Sequence, residues 1–319
     1  MKNKYLQFLR SPLTRDILEL NDSKLIDKSG NKFPIINGIP RFVDITNYAE
    51  SFGFQWNIFS EVQLDKKNNY DISSKRLYDN VNLKKNDFEG KMVLELGSGA
   101  GRFTEVLLKE NCDLFSIDYS NAVEANRKMN GNDFFLAQAD IYKLPFEYNS
   151  FDVVLCLGVI QHTPDVEKSF DEMVKFLKPG GKIVIDVYSK NWKTIFHSRF
   201  WFRPITKRIS NKKLLRIVRW YVPKWFPISS FLLQIPLFGK FLAQIIPISN
   251  YSKQYPFMSQ KDLVKWAILD TFDMLSPQYD NPQSLNTLRK FAVKNHINIE
   301  FCGKGHNGYV LRGHKTLKN

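Results

Sequence analysis

Residues 93–101 read Val-Leu-Glu-Leu-Gly-Ser-Gly-Ala-Gly, and this stretch constrains the fold more than any other. A short apolar run ends in an acid, and Gly97, Gly99 and Gly101 follow at alternate positions. Glycine permits positive φ and close backbone approach, and a helix opening near Arg102 offers unpaired N–H groups beneath such a turn. A strand, a tight turn and a helix in this order suit a nucleotide-like ligand. A dinucleotide fingerprint needs glycine at 102, where this chain has Arg102.

The alternation continues downstream. After the helical pattern FTEVLLKE, DLFSIDYS forms a second strand ending at Asp118, where doubly wound folds place an acid for ribose hydroxyls. FFLAQADIYKLPF puts Asp140 just past a third strand, FDVVLCLGVIQHTPD is a fourth strand running into a loop, and LKPGGKIVIDVY is a proline-glycine turn feeding a fifth. This β-α alternation at roughly 20–25-residue intervals predicts a parallel sheet with right-handed crossovers. The acids then lie at the carboxyl ends of strands, where open α/β sheets bind ligands.

The Glu95 glycine turn and the motifs after it resemble, in order, those of class I S-adenosylmethionine-dependent methyltransferases. The resemblance covers about residues 85–190 closely, and INIEFCG and GYVLRGH look like the antiparallel hairpin that closes such sheets. It implies an α/β, doubly wound, mostly parallel seven-stranded sheet with S-adenosyl-L-methionine as cofactor. By that resemblance Glu95, Gly97, Gly99 and Gly101 hold the methionine moiety, Asp118 the ribose hydroxyls, and Asp140 with Ile141 the adenine. Arg102, Tyr119 and Leu157 complete the expected cofactor site.

A chain of 319 residues with 43% hydrophobic content can bury one large core and an accessory one. Cys112, Cys156 and Cys302 form no C-x-x-C pair, so neither a disulfide framework nor a zinc site is expected. The opening MKNKYLQFLRSP has too short an apolar run for a signal peptide, and a cytosolic location is expected. Residues 1–48 read as a small β unit with turns at Ser29-Gly30-Asn31 and Asn37-Gly38. Its FPIINGIPRFV resembles the zinc-ribbon-like domain of tRNA-methyltransferase activators. Where that domain has Cys-Pro-x-Cys, this chain has Ser11-Pro12-Leu13-Thr14, so a metal-free unit is expected. Residues 49–84 form a capping segment in which ESFGFQWNIF either closes over the cofactor or anchors the two units.

Residues 191–282 read as a lid inserted before a C-terminal helix and hairpin, 283–319, that complete the core. From Val187 to Lys261 there is no Asp or Glu but fourteen Lys and Arg, which equals the net charge of +14 of the whole chain. Aromatics are interleaved, among them Trp192, Phe196, Trp201, Trp220, Trp225, Phe231 and Phe238. Pro227, Pro236, Gly239, Lys240 and Pro247 interrupt the apolar run too soon for a membrane span. Three readings stay open: a plain substrate lid, an anionic membrane surface met through residues 190–250 with a lipid-linked acceptor, and RNA.

The loop GVIQHTPD lacks the motifs of base-amine and cytosine methylation, and resembles instead that of small-molecule and quinone methyltransferases. It puts His162 beside the methyl position as a candidate general base. Thr163-Pro164-Asp165 reads as a helix start with proline at the first helical position. A polar cluster at 270–284 resembles a segment of bacterial methyltransferases, some associated with surface-glycan genes, and nominates Asp273, Tyr279 and Asp280 for substrate. The expected activity is O-methylation of a small-molecule, glycosyl or lipid-linked acceptor. An RNA methyltransferase and an idle S-adenosylmethionine-binding assembly protein are the alternatives.

Overall fold

The computed structural model describes residues 3–44, 47–191 and 198–317. Four short antiparallel strands come first: β1 (Glu19–Asn21), β2 (Lys24–Ile26), β3 (Lys32–Ile36) and β4 (Ile39–Pro40). Asn37 and Gly38 between β3 and β4 both take positive φ, 54° and 73°, as a primed hairpin turn demands. Ser11 and Thr14, standing where cysteines were expected, donate their hydroxyls to Asp27 Oδ2 at 2.7 and 3.1 Å, and the Asn31 amide joins them at 2.9 Å. Burial alone would raise the Asp27 carboxyl, but these donors reverse that and hold it at about 2.

Helices α1 (Glu50–Ile58), α2 (Asp65–Asn68) and α3 (Ile72–Lys75) lead into the main sheet. There β5 (Met92–Leu96), α4 (Arg102–Leu107), β6 (Asp113–Asp118), α5 (Val123–Asn130), β7 (Phe135–Gln138), β8 (Phe151–Leu157), α6 (Val166–Phe176) and β9 (Leu177–Val187) follow one another. Helices α7 (Arg199–Thr206), α8 (Asn211–Gln234), α9 (Gly239–Ile245) and α10 (Gln260–Leu275) form the insertion. Helix α11 (Leu285–Lys294) and the hairpin β10 (Ile297–Lys304), β11 (Tyr309–Lys315) end the described chain. In space the order is β10-β11-β9-β8-β5-β6-β7, parallel from β9 to β7, with β11 antiparallel to both its neighbours. The expected seven-stranded, mostly parallel α/β sheet is therefore the one that forms. Its strand order reverses between β5 and β8, which fixes the ligand crevice at their carboxyl ends.

Parallel strands covered on both faces read as apolar runs. Leu94, Phe115, Ile117, Val154 and Ile183 face one core, and Val93, Leu114, Leu136, Val153 and Leu155 face the other. Phe115 sits at the centre of a ring cluster, 5.2 Å from both Tyr5 and Phe151 and 5.4 Å from Phe135, so the N-terminal turn packs directly on the sheet. A third core joins Leu214, Val218, Val222 and Phe226 of α8 to Leu263, Trp266 and Phe272 of α10, with Phe59 beyond α1. The buried α8 positions recur every three or four residues, the spacing of one helix face.

The helix after β8 corrects one expectation. It begins at Val166, with Asp165 as its cap accepting from the Lys168 N–H, so Pro164 precedes the helix instead of occupying its first position. The short polar side chain competes for the exposed N–H groups, which proline cannot do. Trp192, Lys193 and Phe196 of the insertion lie outside the described residues.

The small sheet is fastened to the large one past β7. Phe42 N–H donates to Gln138 O at 2.8 Å, Arg41 Nη1 to Gln138 Oε1 at 3.0 Å, and the Arg41 guanidinium pairs with Glu124. Replacing Arg41 by Ala leaves Gln138 and Glu124 without this partner and is expected to cost about 1–3 kcal/mol. Hydrogen exchange should then accelerate across residues 19–42 before the large sheet responds.

Candidate active site

The turn after β5 is pinned from three sides. Gly97 and Ser98 donate their N–H groups to Ile117 O at 2.8 and 3.0 Å, and Gly99 donates to Asp118 Oδ2 at 2.8 Å. A Cβ on Gly97 would sit 2.3 Å from the Val159 side chain, and one on Gly101 would sit 2.2 Å from both Asn126 Oδ1 and Asn130 Nδ2 of α5. The Trp56 ring lies over Gly99, so α1 closes directly on the turn. Gly101 thus makes room for α5, and the turn meets the crevice through Gly97, Ser98, Gly99 and Ala100.

These groups line a cavity of about 930 Å³ at the β5–β8 switch point. Asp118 is on its wall, with Oδ1 accepting from Ser120 N–H and Oγ at 2.8 and 2.6 Å in addition to the Gly99 contact. Burial raises its carboxyl, and three of roughly four acceptor positions are in use. Room remains for about one further donor. Tyr119 and Tyr48 meet at 4.7 Å with their rings tilted by 31°, and with Ala139, Ile141 and Leu157 they give the cavity a largely apolar slot. Asp140 is not among the cavity-lining residues; its Oδ1 accepts from Tyr142 N–H at 2.9 Å and caps the following turn.

Glu95 also stands behind the wall. Its Oε2 accepts from Thr104 and Ser116 hydroxyls, both at 2.6 Å, while Oε1 is buried without a hydrogen-bond partner among the described residues. Burial pushes this carboxyl up to about 7 against the pull of those donors.

The cavity has a cationic end. Arg102 Nη1 donates to Gln63 Oε1 at 2.8 Å and Nε to Ser73 Oγ at 3.3 Å, and among the described residues no carboxylate lies within ion-pair distance of it. Burial and the neighbouring Arg76 lower it to about 10, so it stays charged at neutral pH. Arg76 itself is paired with Asp186 at 2.7 Å.

His162 and Asp273, both nominated for chemistry, line the same cavity. His162 is buried between Phe52 and Tyr188, with ring centroids at 4.9 and 5.5 Å, and its Nδ1 lies 3.0 Å from Tyr279 O. A carbonyl only accepts, so Nδ1 carries the proton and Nε2 keeps its lone pair. Burial lowers the ring to about 4, with Asp280 opposing, so His162 is neutral and a weaker base than its ordinary value suggests. Asp273 lines the same cavity, one oxygen held by Gln55 Nε2 at 2.7 Å; burial and Asp270 raise it to about 7.

Asp280 and Tyr279 lie in a turn held by Arg203. Arg203 Nη1 pairs with Asp280 Oδ2 at 2.5 Å, and its other nitrogens donate to Pro277 O and Tyr279 O. The Tyr279 ring packs edge-on against Tyr48 at 5.3 Å and is not among the cavity-lining residues, whereas Asp280 is. Sequence reasoning missed Arg76, Gln55, Tyr48 and Tyr188 as site residues, and passed Arg203 over as one cation among many. Gln55 lies in the capping segment ESFGFQWNIF and Tyr188 ends LKPGGKIVIDVY, but neither pattern marks the side chain that reaches the site.

Residues 94–185 match a protein family described as a methyltransferase domain. The chain is 39% identical over 106 residues to phosphoethanolamine N-methyltransferase 1 of Triticum aestivum, covering 31% of this chain and 21% of that protein. It is 26% identical over 117 residues to a ubiquinone biosynthesis O-methyltransferase of Coxiella burnetii, covering 34% and 49%. The chain therefore spans between a fifth and a half of these curated relatives. In a solved complex between the Haloferax volcanii Trm112 methyltransferase activator and a methyltransferase, one chain aligns with a TM-score of 0.50 at 12% identity, covering 84% of this chain and 98% of that one. That likeness is one of fold.

Glu95→Gln isolates the buried carboxyl. Its folded value of about 7 lies above the ordinary 4.5, so the native state binds more protons between the two and loses stability as pH rises through about 7. Glutamine does not titrate, so the variant is expected to gain on wild type from about pH 5 to about pH 8 by on the order of 1–3 kcal/mol. Urea unfolding at both pH values measures the difference.

Proposed function

We propose that this protein is an S-adenosyl-L-methionine-dependent methyltransferase acting on a hydroxyl of a small-molecule, glycosyl or lipid-linked acceptor. The observation that carries the reading is one cavity joining the glycine turn, Asp118, the Tyr48–Tyr119 slot and the charged Arg102. These residue types fit the cofactor: a carboxylate for a ribose hydroxyl, a largely apolar slot for adenine, and a guanidinium for the amino-acid carboxylate. S-adenosylmethionine supplies, when bound, an electrophilic methyl group on a sulfonium.

In this reading Glu95 acts from beneath, holding Ser116 and Thr104 against the turn, and Asp140 shapes the adenine slot from its rim. Trp56 and Phe52 of α1 cover the crevice and exclude water. His162 offers Nε2 to orient the acceptor hydroxyl, and Asp273 takes its proton, because a base poised near 7 matches working pH better than one near 4. Arg203 and Asp280 hold the turn that carries the carbonyl of Tyr279 to His162. The N-terminal sheet is read as a metal-free relative of a zinc-ribbon unit, its Asp27 satisfied by hydroxyl and amide donors.

Asp118→Ala removes charge-assisted hydrogen bonds worth about 1.5–3 kcal/mol, so calorimetry with S-adenosylhomocysteine is expected to show affinity weakened about 10- to 150-fold. Unchanged affinity would defeat the cofactor assignment. The acceptor is identified as the metabolite that gains one methyl group when the wild-type protein is expressed and does not when Asp118→Ala is.

With that acceptor, turnover is expected to rise with pH through about 7 as Asp273 ionises, and then level off. Asp273→Asn should lower turnover about 10²–10⁴-fold and remove this rise while leaving S-adenosylhomocysteine affinity intact. A variant with wild-type turnover would return Asp273 to a structural role.

A further inference from the structure

More than half of the exposed large apolar side chains among the described residues, 12 of 23, fall within residues 199–245. They are not scattered. On α8, Ile217, Trp220, Ile228 and Phe231 are exposed at spacings that, with Lys224 between them, keep one stripe along the helix. That stripe lies across the helix from Leu214, Val218, Val222 and Phe226, which face the α8–α10 core. At the end of α8 the chain turns through Pro236, Leu237 and Phe238; Leu237 is 95% exposed with φ at 63°, and Phe238 is 67% exposed. An apolar elbow projects there.

The cations are arranged around this apolar face. Lys212, Lys213, Arg216 and Arg219 occupy the exposed first half of α8, away from the elbow, and Lys224 Nζ lies 3.9 Å from the Trp220 ring centroid. Not one acid occurs between residues 187 and 261. Two such faces repel, which argues against a second copy as the cover. Seven of the twelve are aromatic and would suit stacked bases as well as lipid, but Ile205, Ile217, Ile228, Leu237 and Ile245 offer no ring to a base and are covered by an acyl interior, which favours a bilayer over RNA. A surface with anionic headgroups over an apolar interior satisfies both parts at once.

The cavity comes to the surface beside the elbow. Leu233, Lys240, Gln244 and Lys253 line it, and all of them except Leu233 are exposed. No helix among the described residues is long and apolar enough to cross a membrane. We propose that α7–α9 form a face that docks on an anionic bilayer, with the Pro236–Phe238 elbow inserted below the lipid phosphates. Lys240 and Lys253 then meet the phosphates at the cavity mouth, and an amphiphilic acceptor reaches the site from the bilayer interface. The docking stands independently of the activity; only the acceptor route rests on the methyltransferase reading.

The test uses the full chain with vesicles of phosphatidylcholine containing phosphatidylglycerol. The protein is expected to sediment with these vesicles and to lose about tenfold or more of that binding when Leu237 and Phe238 are both changed to Asp. Tryptophan emission is expected to be quenched by lipids brominated in the acyl chain, and less so in a Trp220→Phe, Trp225→Phe variant. Far-UV circular dichroism and thermal unfolding check that each variant is folded, and calorimetry with S-adenosylhomocysteine reads the activity arm separately. Docking is overturned if the Asp variant sediments like wild type, if acyl bromine leaves the emission unchanged, or if the protein ignores vesicles and binds RNA with a steep salt dependence. Vesicle binding without S-adenosylhomocysteine binding in the wild type would keep the docking face and defeat only the activity and the acceptor route.

Discussion

The turn between β5 and α4 is the constraint on which the rest of the molecule depends. Val159 from the loop after β8, two asparagines of α5 and the Trp56 ring of α1 all press against it, at positions where a side chain has no room. The carboxyl end of β6 holds it from the remaining side through Ile117 O and Asp118. Four elements separated in sequence thus take their relative positions from one backbone segment. Because packed interiors deform little, a shift at this turn would be transmitted to the cavity wall, the α1 cover and the loop that carries His162.

The cavity is a place where burial sets the charge states. Glu95 and Asp273 are both pushed up to about 7, and His162 and His306 are both pushed down to about 4. Arg102 keeps its charge, and Arg76 and Arg203 are matched by Asp186 and Asp280. At neutral pH the cavity wall therefore carries a lasting cation, Arg102, and a carboxyl close to its titration point, Asp273. A ligand with an anionic group and a separate nucleophile is the shape such a field favours.

The accessory parts attach at the rims of the sheet and close on the crevice. The N-terminal strands extend it past β7, where Gln138 both accepts from Arg41 and donates to Tyr119 O, so the small sheet steadies the Tyr48–Tyr119 slot. The helical insertion reaches over from the other side and shares its third core with residues around α1. The same helices that wall the cavity also carry the apolar elbow. Cavity and outer surface are therefore built from the same helices.

The sequence by itself determined the mostly parallel α/β sheet and its crevice, because short apolar runs alternating with helical patterns, the glycine turn and strand-end acids are local signals that backbone geometry reads within a few residues. Asp118 at a strand end and the turn were legible for that reason, whereas the hairpin of β10 and β11 was expected from the family resemblance. Tertiary structure decided what each polar side chain does. Glu95 and Asp140 are turned away from the cavity, Gly101 serves α5, and Asp280 is spent on Arg203. Burial first, and charged neighbours second, push His162 down and Asp273 up, and Gln55, 218 residues from Asp273 in the chain, holds one oxygen of the latter. Solvent exclusion and pairing depend on which elements pack together, and that information resides in no single stretch of the chain.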